Sequence, residues 1–79
     1  MHPRIKRFRA WRLALGVTQT ELAEESGVAQ TLISRLENGT QAGFTMRTHD
    51  RLYQALTRLD NQRRAALENV RPEASRHEH

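Results

Sequence analysis

The sequence predicts an all-α protein, a compact bundle of short helices. Two observations carry that prediction. From Thr18 to Gly39, two helical patterns meet at a glycine, Gly27. On either side of that segment, residues recur at spacings of three and four: Ile5, Phe8, Trp11 and Leu15 before it, and Met46, His49, Leu52, Tyr53, Leu56 and Leu59 after it. Such spacing returns side chains to one face of a helix. A chain of 79 residues makes one domain with a thin core.

Met1, His2 and Pro3 form a short lead. Pro3 suits a first helical turn, where its missing N–H would have no partner anyway. The first helix is expected from about Arg4 to Leu15, with Arg12 inside its apolar stripe. An isolated buried charge is very costly, so Arg12 needs a partner. Glu37, at the edge of the apolar arc of the third helix, is the expected one, and an Arg12 that reaches out to a phosphate is the alternative. Arg4, Lys6, Arg7 and Arg9 crowd the same helix with no acid among them. They suit a solvated basic face or a flank against DNA phosphates, and Arg9, well away from the stripe, is the favoured phosphate ligand.

The second helix spans about Thr18 to Ser26. Thr18 and Glu21 are spaced as a capping box, hydroxyl and carboxylate each accepting from the other's backbone N–H. Leu22 and Ala23 are its main core residues, while Glu24 and Glu25 sit late in the helix, against its dipole. Gln19 lies in the first turn, where backbone donors and a side-chain amide can together hold a phosphate. Gly27 then takes a left-handed turn without steric cost.

The third helix, about Gln30 to Leu36 or Glu37, divides cleanly. At about 100° per residue, Gln30, Thr31, Ser34 and Arg35 fall on one arc and Leu32, Ile33 and Leu36 on the other. The outward arc thus carries an amide, two hydroxyls and a guanidinium. Gln can pair with adenine N6 and N7, and Arg with guanine O6 and N7. Taken alone, the same division fits an ordinary amphipathic helix. Ala29, just before it, has no side-chain oxygen for a cap, so water or a DNA phosphate is expected to satisfy the first N–H groups. Asn38 and Gly39 close the helix.

Thr40 to Phe44 form a loop with a turn at Gly43, and Phe44 is expected as a lid on the core, with a partly exposed anchor as the alternative. Thr45 caps a fourth helix to about Arg58, with His49 as a hydrogen-bonded core residue without assigned chemistry. Asp60 or Asn61 would cap a fifth helix, Gln62 to about Arg71, ended by Pro72. Its stripe of Ala66, Leu67 and Val70 either closes the base of the bundle or pairs with a second copy. Residues 4–71 then form the domain and 72–79 a polar, disordered tail. His77 and His79 lack the closed ligand set of a structural metal site.

The combination of Arg12, Gly16-Val17-Thr18-Gln19, Leu22-Ala23, Gly27-Val28, Ile33-Ser34-Arg35-Leu36-Glu37-Asn38-Gly39 and Ala55-Leu56 resembles the lambda-repressor-like, Cro/XRE-type helix-turn-helix domains. The resemblance runs from about Ile5 to Leu59. It implies a bundle of four to five short helices, with the helix-turn-helix formed by the second and third. It also implies that Gln19 clamps a phosphate, that Gln30, Thr31 and Arg35 reach bases, that Asn38 contacts the DNA backbone, and that Arg12 pairs with Glu37. Two departures stand out: Ala29 replaces the usual Ser or Thr cap, and His49 an aliphatic residue.

Composition agrees at lower resolution. Thirteen basic against nine acidic side chains give a net charge of +4, which favours a polyanionic partner. All the basic residues but Lys6 are arginines, whose planar fork suits phosphates and guanine. Cysteine is absent, which excludes a disulfide scaffold and thiolate zinc sites. No apolar run approaches membrane-spanning length and no signal-peptide core precedes the domain, so a cytoplasmic protein is expected. No nucleophile–base pair, phosphate loop or metal-ligand helix is present, so neither catalysis nor a cofactor is expected. The resulting expectation is a sequence-specific regulator of transcription, a repressor, bound as a homodimer to a palindromic operator in double-stranded DNA. The alternative is an antitoxin with a toxin partner, or an adaptor on the same fold.

Overall fold

The computed structural model describes residues 3–41 and 43–77, with side chains described as far as Glu68. Four helices follow one another: α1 (Pro3–Leu15), α2 (Gln19–Ser26), α3 (Gln30–Asn38) and α4 (Met46–His77). Ile5 and Phe8 from α1, Leu22 from α2, Ile33 and Leu36 from α3, and Leu52, Ala55, Leu56 and Leu59 from α4 meet in one core. Val17 and Val28, from the two connections flanking α2, complete it. Trp11, Leu15, Ala23, Leu32 and Phe44 pack against its edge, half-buried.

The ends of α2 and α3 follow from local chemistry. Thr18 Oγ1 accepts from the Glu21 N–H at 3.0 Å, and the Glu21 carboxylate accepts from the Thr18 N–H at 3.2 Å. Gly27 ends α2 in the left-handed region, φ 73° and ψ 11°, and its N–H donates to the Ala23 carbonyl. A side chain at that φ is strained. Ser26, buried at the turn, accepts from the Val28 N–H at 3.1 Å and so braces the corner. Ala29 begins α3 with no side-chain hydrogen bond. Thr45 caps α4, its Oγ1 accepting from the Thr48 N–H at 3.2 Å.

The C-terminal part departs from the sequence reading. The expected stops at Asp60–Asn61 and at Pro72 do not divide the chain, and α4 is one helix from Met46 to His77. Asp60 is engaged sideways instead of capping: its carboxylate accepts from Trp11 Nε1 at 3.1 Å and from Arg64 Nε at 3.0 Å. Arg63 continues the attachment, donating to the Leu15 carbonyl at 3.1 Å and to Glu21 at 3.3 Å. Arg58 ties α4 to the end of α2 through the Glu25 carboxylate and carbonyl, at 3.0 and 2.9 Å. Ala66 and Leu67 are exposed, so they do not close the base of the bundle. Met46 and Tyr53, expected on the apolar face, are 62% and 52% exposed. Both lie at the margin of the stripe, and Tyr53 there meets Trp11 of α1 only edge-on, at 5.8 Å. The side chains of residues 69–79, and with them Val70 and the expected polar tail, lie outside the described residues.

Candidate nucleic-acid interface

The site is built outward from one buried ion pair. Arg12 and Glu37 are each about nine-tenths buried. The guanidinium grips the carboxylate with both prongs, Nε to Oε2 at 2.9 Å and Nη2 to Oε1 at 2.7 Å. The remaining Nη1 donates to the Val17 carbonyl at 2.7 Å. Two desolvated charges are tolerable inside a protein only with this degree of hydrogen bonding. The pair fixes α1 to α3 and, through Val17, to the entry of α2.

Gln19 carries the arrangement to the surface. Its Nε2 donates to Glu37 Oε1 at 3.0 Å, and its Oε1 accepts from Gln30 Nε2 at 3.2 Å. A primary amide has two N–H groups. One N–H of Gln19 therefore remains available, as do one N–H and the carbonyl oxygen of Gln30. These two contacts were not foreseen from the sequence. Gln19 opens α2 and Gln30 opens α3, and only the crossing of the two helices brings them together. Arg9 approaches the same carboxylate from outside, Nε to Oε1 at 3.9 Å, with half of its side chain exposed.

The outer arc of α3 follows. Gln30, Thr31 and Arg35 are exposed, and Arg35 forms no ion pair with any described residue. Ser34 is half-buried, and its hydroxyl receives a long hydrogen bond from Asn38 Nδ2 at 3.5 Å. Ile33, Leu36 and Glu37 on the other side are buried. A helix anchored along one side this firmly presents its other side as a rigid ridge of donors and acceptors. Gly39 ends it, and the Arg35 carbonyl takes up the Thr40 and Gln41 N–H groups at 3.0 and 3.2 Å.

His49 sits apart from this ridge. It is half-buried, 5.2 Å from the Phe8 ring and 6.1 Å from the Phe44 ring. Arg4 Nη1 lies 3.4 Å from its Nε2. A guanidinium only donates, so Nε2 is the acceptor and Nδ1 carries the proton. That proton goes to Asp50 Oδ1 at 3.1 Å.

Two short helices joined at a left-handed glycine, the second exposed along a polar ridge, define a helix-turn-helix protein of the DNA-binding class. Residues 8–48, just over half the chain, match the helix-turn-helix family model, and the chain belongs to this Cro/C1-type family of DNA-binding regulators of transcription. No curated protein and no solved structure gives a significant match. Among the described residues, no helix is long and apolar enough to cross a membrane.

Proposed function

We propose that the protein is a sequence-specific transcriptional repressor that places α3 in the major groove of double-stranded DNA. The observation that carries this reading is the exposure of Gln30, Thr31 and Arg35 on a helix whose opposite face is locked into the core. Arg35, with no internal carboxylate, is suited to guanine O6 and N7. Gln30, held by Gln19, keeps an N–H for adenine N7 and its carbonyl oxygen for adenine N6. Thr31 and Ser34 add hydroxyls along the same ridge. The spare N–H of Gln19, the exposed guanidinium of Arg9 and the Asn38 amide take phosphates on either side, which sets register without reading sequence.

One such ridge covers only a few base pairs. A homodimer on a palindromic operator, with half-sites about one helical turn apart, doubles the sequence read. The exposed Leu67 on the outer half of α4 is a candidate contact between copies. Selection of bound duplexes from a random pool, followed by the mass of the complex, tests the proposal. A palindromic consensus bound by two chains is the expected result. Recovery of unrelated duplexes, or binding that salt alone controls, contradicts sequence reading.

A further inference from the structure

Between α1 and α4 lies an open groove of about 450 Å³. Phe8 and Trp11 of α1 and His49 and Tyr53 of α4 wall it with rings, and Arg4 and Arg7 stand at its rim. The rings are held in place. Trp11 is pinned through its indole N–H to Asp60 at 3.1 Å and meets Tyr53 edge-on at 5.8 Å. Tyr53 lies parallel to His49, with the planes 1° apart and centroids at 6.4 Å. Rings fixed this way give a preformed surface, which lowers the ordering cost of binding.

That surface is nonetheless open to water. Tyr53 is 52% exposed, and its phenol makes no hydrogen bond with any described residue. Arg7 is exposed and forms no ion pair with any described residue. The carboxylate in the groove wall, Asp50, has one oxygen held by His49 Nδ1 at 3.1 Å, and the two guanidiniums of Arg4 and Arg7 outnumber it in the lining. The groove therefore offers ring faces, an unused hydroxyl and an uncompensated guanidinium whose planar fork matches a carboxylate.

We infer that this groove is a binding site for a small planar aromatic carboxylate, its ring against Trp11 and Tyr53 and its charge on Arg7. The volume lies within the roughly 300–1,000 Å³ usual for small-molecule sites and suits one or two fused rings. None of the wall residues belongs to the α3 ridge. A ligand taken up only by the folded chain also stabilises it.

Trp11 is the only tryptophan, so its indole N–H gives one unmistakable signal in a nitrogen–proton correlation spectrum of the full chain. Titration with 2-naphthoate is expected to move that signal saturably and to raise the melting temperature. The uncharged analogue 2-naphthamide is expected to bind roughly tenfold or more weakly, because it lacks the charge-assisted hydrogen bonds. Arg7→Gln, at an exposed position, is expected to weaken naphthoate to the level of the amide and leave the amide unchanged. A flat titration, equal affinity for the two probes, or unaltered naphthoate binding in Arg7→Gln overturns the inference. So does tighter binding of an acidic, tryptophan-containing peptide than of naphthoate, which assigns the groove to a protein partner.

Discussion

Gln19 and Glu37 are joined by a 3.0 Å hydrogen bond from the amide Nε2 to the carboxylate Oε1, the same oxygen that receives Arg12 Nη2 at 2.7 Å. Glu37 thus serves two purposes at once: it neutralises a buried cation and orients a surface amide. Stability and the proposed DNA contact share an atom, and substitutions around it separate the two.

Glu37→Gln leaves the Arg12 cation buried without a carboxylate, which costs about 3–5 kcal/mol. Gln19→Ala leaves the ion pair intact and removes two hydrogen bonds, the part-buried one to Glu37 and the exposed one from Gln30, each worth about 1 kcal/mol or less. Urea unfolding curves compare the two directly. In a domain whose total stability is roughly 5–15 kcal/mol, the first change brings the chain close to unfolding and the second does not.

Helix capping gives a pair of opposite predictions. Thr18→Ala removes a cap from α2 and lowers stability by about 1 kcal/mol. Ala29→Ser supplies α3 with the cap it lacks and raises stability by a similar amount, about 1 kcal/mol. Ala29 is exposed, so the added hydroxyl meets no steric obstacle. Thermal melts read both signs, and amide exchange at Thr31 to Ile33 shows whether the gain is local.

Glu21 predicts a pH dependence. The Thr18 backbone N–H, donating to its carboxylate, holds the Glu21 pKa below the ordinary glutamate value, with Arg63 adding to the effect. A carboxyl whose pKa is lower folded than unfolded contributes stability above its unfolded pKa. That contribution is lost as pH falls through the folded value. Glu21→Gln is therefore expected to flatten the acid side of a stability-against-pH curve and to leave its alkaline side unchanged in shape.

Arg9 addresses the salt dependence. If its exposed guanidinium neutralises one phosphate, Arg9→Ala lowers the slope of log affinity against log salt by about one unit. An unchanged slope in a mobility-shift series leaves Arg9 as a partner of Glu37 alone.

Burial along α4 sets a gradient of mutational cost. Leu56 is fully buried, and Leu56→Ala is expected to cost about 2–5 kcal/mol. Leu67 is 66% exposed, and Leu67→Ala is expected to change the stability of the isolated chain by less than about 0.5 kcal/mol. A large effect of Leu67→Ala that grows with protein concentration locates a contact between copies at this helix.

The helix-turn-helix was readable because its signals are local. Thr18 with Glu21, Gly27 and Gly39 fix helix ends through their own backbone geometry, whatever lies around them. Arg12 was readable for a different reason, since a guanidinium in an apolar stripe demands a carboxylate and Glu37 lies on the facing helix edge. The continuity of α4 was not readable. Asp60 has the chemistry of a cap, and only the tertiary position of Trp11 and Arg64 shows its carboxylate occupied. The exposure of Met46 and Tyr53 was hidden similarly, because spacing gives the face of a helix but not the width that a neighbour covers. The Gln19–Gln30 contact depends on the crossing of α2 and α3, which no spacing encodes.

If Arg35 reads a base while Gln19 holds a phosphate, one set of affinities separates them. Affinities of the parent chain, Arg35→Ala and Gln19→Ala are determined for the selected duplex, for a variant with one base pair changed at the Arg35 contact, and for random duplex, at one salt concentration. Arg35→Ala is expected to lose about 1–3 kcal/mol on the selected duplex and to stop discriminating that base pair, whereas Gln19→Ala is expected to weaken all three similarly. Equal losses on all three duplexes for Arg35→Ala would contradict base reading by Arg35.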